Sequence, residues 1–144
     1  MNNLIVFTGE YLIYIIGLVF VVLLFRKLQA GILIVTIVSA INALILAFVI
    51  GEMVRSVRPF VLEHTMPLIR HGADNGFPSH HVLIAMTMAA VAFLYDRNLG
   101  LALCAAALLV GVARVMAGVH HPVDVIGSVA IALVAVFIAK RTVG

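Results

Sequence analysis

Charge is what this sequence has least of. Asp, Glu, Lys and Arg make up 10% of its 144 residues, against 65% that are hydrophobic. Soluble domains carry about 25% charged and roughly 45–50% apolar residues. A water-facing globule with this composition would not have enough polar surface to cover itself. Cysteine is nearly absent too. Cys104 alone excludes an internal disulfide and a multi-thiolate metal site, and within its Ala/Leu run it reads as a small packing residue. The net charge is only +3, with no basic stripe interleaved with aromatics, so nucleic acid is not expected as a partner. The start of the chain has no basic stretch, since Met1 to Gly9 carries no positive side chain. The apolar run that follows is too long for a signal peptide and no small-x-small cleavage site follows it, so a retained transmembrane helix is expected. The length suits one domain covering residues 1–144.

What is present is a series of apolar runs. Five stand out against the roughly 20 residues needed to cross a bilayer. They cover about Leu4 to Phe25, Gly31 to Val54, Ser79 or His80 to Tyr95, Leu99 to Val119, and the stretch after Pro122 up to Lys140-Arg141. The fold class expected is all-α, a polytopic membrane bundle of about five helices. The third and fourth runs are short, and their ends are expected in protein-lined space. Between the second and third runs, Arg55 to Pro78 holds Pro59, Pro67, Gly72, Gly76 and Pro78, which prevent a continuous helix. Phe60-Val61-Leu62 and Met66-Pro67-Leu68-Ile69 suggest that this loop rests on the membrane interface. Arg26-Lys27, Arg97 and Lys140-Arg141 fall on one side of a five-span arrangement, which the positive-inside rule makes cytoplasmic. Arg55, Arg58 and Arg70 lie on the other side and weaken that count.

Against this background three polar groups converge on one membrane face: Arg58-Pro59, Pro78-Ser79-His80-His81, and Arg114 followed by His120 and Asp124. Ionisable groups at membrane depth are costly and default to a functional reading. Pro122 between His120 and Asp124 places the pair at a turn and a first helical turn, with Pro near N1. Asp124 can there orient one imidazole nitrogen, leaving the other free to attack. Arg58 and Arg114 offer planar forks for phosphate oxygens, and fixed cations stabilise the charge gathered during phosphoryl transfer. Ser79 and the amides opening the third run add donors at a helix N-terminus. His81 is placed to protonate a leaving oxygen.

These segments resemble the signature of the type 2 phosphatidic acid phosphatase superfamily: K-x6-R-P, P-S-G-H and S-R-x5-H-x3-D. Here it reads Gly51-x6-Arg58-Pro59, Pro78-Ser79-His80-His81 and Ala113-Arg114-x5-His120-x3-Asp124. Gly51, His80 and Ala113 depart from the family lysine, glycine and serine. Arg55 is a candidate to replace the missing cation. His80 is a second, weaker phosphate candidate, read more readily as a solvent-facing residue. Among its subgroups the chain is most similar to bacitracin-resistance-type undecaprenyl-diphosphate phosphatases, through Arg58-Pro59-Phe60-Val61, Ala73-Asp74 and Phe77-Pro78-Ser79. The resemblance implies hydrolysis of a polyprenyl diphosphate to its monophosphate, without metal or cofactor, at the extracytoplasmic face of a bacterial inner membrane. It makes His120 the nucleophile through a phosphohistidine, Asp124 its orienter and His81 the general acid. Arg58, Ser79 and Arg114 then hold phosphate, and the partners are a lipid phosphate or diphosphate and membrane lipids.

Other readings stand beside this one. The same chemistry suits phosphatidylglycerophosphate, phosphatidate or a lipid A phosphate. A metal-binding or transport protein would use His80, His81, His120, His121 and Asp124 as ligands. Against that, two arginines repel a cation and no H-E-x-x-H spacing is present. Gly51 and His80 motivate a catalytically silent lipid binder. Taken singly, Arg114 reads as a snorkelling anchor and Asn42 as an interhelical hydrogen-bond partner. Glu52 with Arg55 reads as an i,i+3 pair, while Glu63 and Asp74 read as solvated or loop-ordering residues.

Overall fold

A computed structural model describes residues 2–27 and 29–143. Every regular element among them is helical. α1 (Asn2–Lys27) contains a π-helical stretch, Phe7–Tyr11, and is followed by α2 (Ala30–Met53). A single turn, α3 (Pro59–Leu62), precedes α4 (His80–Tyr95), α5 (Arg97–Met116) and α6 (Pro122–Val143). Helices are the form that such apolar runs must take, because a bilayer core offers backbone groups no water to bond.

The chain writes the helix ends clearly. α3 and α6 both begin on proline, Pro59 and Pro122, whose missing N–H is not needed at a first helical position. Asp96 caps α5 by accepting from the Leu99 amide at 3.0 Å. α5 stops at Met116, short of the expected Val119, because Gly118 turns the chain with φ +75°, which a glycine adopts without steric cost. Its start, in turn, lies earlier than the apolar run suggested. Arg97 and Asn98 join the helix, and the Arg97 guanidinium lies over the Phe93 ring at 5.9 Å.

Among the described residues four helices, α1, α2, α5 and α6, are long and apolar enough to cross a membrane. The five expected apolar helices are all present, and α4 is the short one. Its 16 residues rise only about 24 Å, less than the roughly 30 Å hydrocarbon core. α4 tolerates this because it is the centre of the bundle, packed against α1, α2, α5 and α6. From Val82 to Ala92 it buries nine residues, four of them alanines, which let neighbouring backbones approach closely. Asn42 of α2 donates to the Ala135 carbonyl of α6 at 3.4 Å, the interhelical role expected of it.

A second, smaller core lies at the end of the bundle where α4 starts. Ile5, Ile69, Ala113, Ala117 and Val119 pack there with Phe60 against them. Gly9, in the π-helical stretch, is close enough to Ala113 and Ile69 that α1 sits directly on them. The loop expected at the interface is therefore anchored inward by Phe60 and Ile69, while Met66 is 96% exposed. The ends of α2 and α5 and the starts of α4 and α6 all meet at this end. Arg26-Lys27, Arg97 and Lys140-Arg141 lie at the other.

Candidate active site

The site forms where four helix ends and the 71–79 loop converge. Arg58, Ser79, Arg114, His120 and Asp124, drawn from separate stretches of sequence, are all buried there. The Arg58 guanidinium is the hub. Its Nε pairs with Asp74 at 3.1 Å, Nη2 donates to the Asn75 carbonyl at 3.2 Å, and Nη1 donates to the Val119 carbonyl at 2.9 Å. Nη1 also lies 3.4 Å from His120 Nε2. With Nε2 as the acceptor in that contact, four of its five N–H donors are engaged by protein acceptors.

His120 is 2% exposed and held at both ring nitrogens. Nδ1 lies 3.0 Å from the Gly76 carbonyl oxygen, an acceptor only, so the proton belongs on Nδ1 and Nε2 presents its lone pair. Asp124 was expected to make that contact. Its Oδ2 stands 3.6 Å from Nδ1, within ion-pair range, but accepts its short hydrogen bond, 2.7 Å, from the His121 amide. The orienting role at Nδ1 is therefore shared between a backbone carbonyl and a buried carboxylate. Gly76 is required for this approach. A Cβ there would stand 3.1 Å from the Ser56 carbonyl oxygen and 3.2 Å from Asp124 Oδ2.

Beside this cluster, buried polar atoms without a partner among the described residues include the donors Ser79 Oγ and Arg114 Nε and Nη2 and the acceptor Asp124 Oδ1. Ser79 is the N-cap of α4, where a serine hydroxyl ordinarily accepts a helix amide, yet its side chain makes no capping bond. Its carbonyl is instead bonded by Ser128 Oγ at 3.0 Å, and the same hydroxyl reaches the Asp124 carbonyl at 2.7 Å, joining the start of α4 to α6. Buried donors left unpaired cost about 1–3 kcal/mol each. Ser79 at the N-terminus of α4 and the cation Arg114 in the last turn of α5 each carry such donors, a type suited to an anion.

The electrostatics favour a neutral His120 ring. Burial, then the charges of Arg114 and Arg58, push the His120 pKa down to about 3 from 6.5. At Asp74 burial works upward, but the hydrogen bond and charge of Arg58 outweigh it and the pKa falls below its usual 3.8.

The remaining expected residues are placed as follows. His81 is half-buried in the first turn of α4, and His80 beside it is exposed. Arg55 is exposed and lines a separate polar cleft of about 240 Å³ with Gly51, Glu52, Asp74 and Asn75; none of the unpaired donors lines that cleft. Glu52 and Arg55 form no ion pair among the described residues. His121 is taken up structurally, its Nε2 2.9 Å from the Val57 carbonyl. Among the described residues no three His, Cys, Asp or Glu side chains gather to hold a metal. Sequence reasoning passed over Asn75, Gly76, Ser128 and His71. His71 stands edge-on to His120, with ring centres 5.9 Å apart. Its one visible signal was position: a histidine three residues before the aspartate that pairs with Arg58.

Fold and site together define a multi-pass membrane protein with a buried imidazole and unpaired buried donors at one end of its helix bundle. The chain belongs to the PAP2 superfamily, whose family model matches residues 12–144. It is 32% identical over 149 residues to undecaprenyl-diphosphatase BcrC of Bacillus subtilis, covering 98% of this chain and 74% of that protein. It is 30% identical over 128 residues to the bacitracin transport permease protein BcrC of Bacillus licheniformis, covering 87% of this chain but only 63% of that relative. Among solved structures it resembles Aquifex aeolicus LpxE, with a TM-score of 0.76 at 22% identity, covering 97% of this chain and 83% of that one. It also resembles a PAP2-type phosphatidylglycerolphosphate phosphatase of Bacillus subtilis, with a TM-score of 0.66 at 26% identity, covering 97% and 73%.

Proposed function

We propose that this chain is a single-domain, metal-independent lipid diphosphatase that converts a polyprenyl diphosphate, such as undecaprenyl diphosphate, to the monophosphate and phosphate. The observation that carries the reading is the pairing of an unprotonated His120 Nε2 with unpaired, buried donors on Ser79 and Arg114. Similarity to the undecaprenyl-diphosphatase of Bacillus subtilis over nearly the whole chain supports the choice of lipid.

In this reading Ser79, Arg114 and Arg58 hold the terminal phosphoryl group. His120 Nε2 attacks phosphorus, forming a P–N bond as the bond to the polyprenyl phosphate oxygen breaks. The proton on Nδ1 stays with Gly76 and Asp124, which stabilise the positive ring that results. His81 supplies the proton to the leaving oxygen. It then takes one from the water that cleaves phospho-His120 and releases phosphate. Two guanidiniums supply the positive charge that a metal supplies elsewhere. The site faces the extracytoplasmic side of a bacterial inner membrane, since the basic helix ends lie opposite it.

The same chemistry acting on phosphatidylglycerophosphate is the second reading, favoured by the likeness to the phosphatase of that lipid. Phosphate release from undecaprenyl diphosphate, phosphatidylglycerophosphate, phosphatidate and a lipid A phosphate, assayed side by side in EDTA, separates these readings. Preference for the polyprenyl diphosphate in chelator is expected. Preference for a glycerophospholipid sinks the substrate assignment, and loss of all activity in EDTA sinks metal independence.

A further inference from the structure

Among the described residues, four buried donor atoms at this end of the bundle have no hydrogen-bond partner. Ser79 Oγ and Arg114 Nε and Nη2 are three, and the fourth is Nδ1 of His71. No motif in the chain requires His71, and nothing in the mechanism above uses it.

Its position makes it more than a loop residue. The His71 ring meets that of His120 edge-on at 77°, with ring centres 5.9 Å apart, so the two imidazoles are direct neighbours. The Asp74 carboxylate lies 3.7 Å from Nδ1. That favours the tautomer carrying the proton on Nδ1, yet the gap is too long for a hydrogen bond. Asp74 Oδ1 is in any case bonded to Arg58 Nε. Burial and the charges of Arg58 and Arg114 lower the His71 pKa, so the ring is a neutral donor in the empty site. At 25% side-chain exposure it stands nearer the loop surface than His120.

We propose that His71 is a further phosphate-binding residue of this site, donating from Nδ1 to an oxygen of the bound phosphoryl group beside Ser79 and Arg114. The inference rests on the phosphatase reading but concerns the anion alone, so it is testable without turnover. A purely structural role would require the flat ring against His120 and not the nitrogen, and substitutions separate the two.

The test is inorganic phosphate binding by titration calorimetry on the full chain in detergent at pH 7. His71→Phe keeps a flat ring and removes the donor; affinity is expected to fall about tenfold, the effect of losing one hydrogen bond to a charged group. His71→Asn keeps an N–H donor and is expected to bind close to wild type. Wild-type affinity in His71→Phe overturns the proposal, as does a wild-type protein that binds no phosphate. Should His71→Phe fail to fold, Asn is compared with His71→Ala; equal affinities in those two variants overturn it. A wild type that binds phosphate through His71 but releases none from undecaprenyl diphosphate would sink the substrate reading and leave this one standing.

Discussion

At the scale of single residues the account rests on protonation and on unpaired atoms. His120 has an imidazole pKa pushed to about 3 because burial and two guanidiniums disfavour a charged ring. A lowered pKa leaves the ring neutral throughout the physiological range. NMR of histidine-labelled protein should therefore find His120 unprotonated at pH 5. Arg114→Ala should raise its pKa by removing a like charge, and a wild-type value near 6.5 would contradict the picture. Ser79→Ala tests the unpaired hydroxyl. Because Oγ bonds to nothing in the resting protein, folding should be unaffected, while kcat/KM should fall about tenfold from one lost contact to a charged phosphate. An unchanged kcat/KM would remove Ser79 from the cradle. The sequence singled out residues whose own chemistry is distinctive, and the fold brings five of them, Arg58, Ser79, Arg114, His120 and Asp124, to one end of the bundle as buried groups. Gly76 was not legible, because it acts through a carbonyl that every residue carries. Asp124 was legible as a carboxylate near His120, but not the division of its oxygens between that ring and the His121 amide.

At the scale of elements, the 71–79 loop decides the geometry, and Asn75 holds that loop. Its Nδ2 donates to the Gly51 and Val54 carbonyls at 2.9 and 3.1 Å, satisfying the C-terminal end of α2. Its Oδ1 accepts from the Ser56 and Phe77 amides at 2.8 and 3.2 Å. Asn75→Ala should lower stability by about 1–3 kcal/mol and displace Gly76 from His120. Reduced melting temperature together with reduced kcat is expected; an enzyme with unaltered kcat would mean that the loop does not position the nucleophile. Gly51, which stands where the superfamily has lysine, belongs to the same element. A Cβ there would lie 3.3 Å from the Phe77 carbonyl oxygen and 3.6 Å from the Pro78 ring. The position is filled by the loop rather than vacant, so Gly51→Lys should lower activity or stability. A rise in kcat/KM would contradict this. Helix existence was readable from the apolar runs and their prolines, because the bilayer leaves few alternatives. The centrality of α4 was not, since a run of small apolar residues looks alike whether it faces lipid or other helices.

At the scale of the whole molecule, one end of the bundle carries the buried Arg58, Ser79, Arg114, His120 and Asp124 and the opposite end carries Arg26-Lys27, Arg97 and Lys140-Arg141. Orientation is then a labelling question. In a Cys104→Ala background, Met66→Cys in the exposed loop should react with an impermeant maleimide on intact cells. Lys140→Cys should react only after permeabilisation, and the reverse pattern would invert the protein. The convergence of Arg58, Ser79, Arg114, His120 and Asp124 at one end is what makes the fold an enzyme candidate rather than a bundle with scattered charges. The most direct test of that claim is phosphate release from undecaprenyl diphosphate labelled with ³²P on its terminal phosphate, comparing wild type with His120→Ala and quenching during turnover. The wild type should release phosphate and retain protein-bound label that is stable in alkali and lost in acid, while the variant does neither. Undiminished release by His120→Ala would contradict the account at its centre.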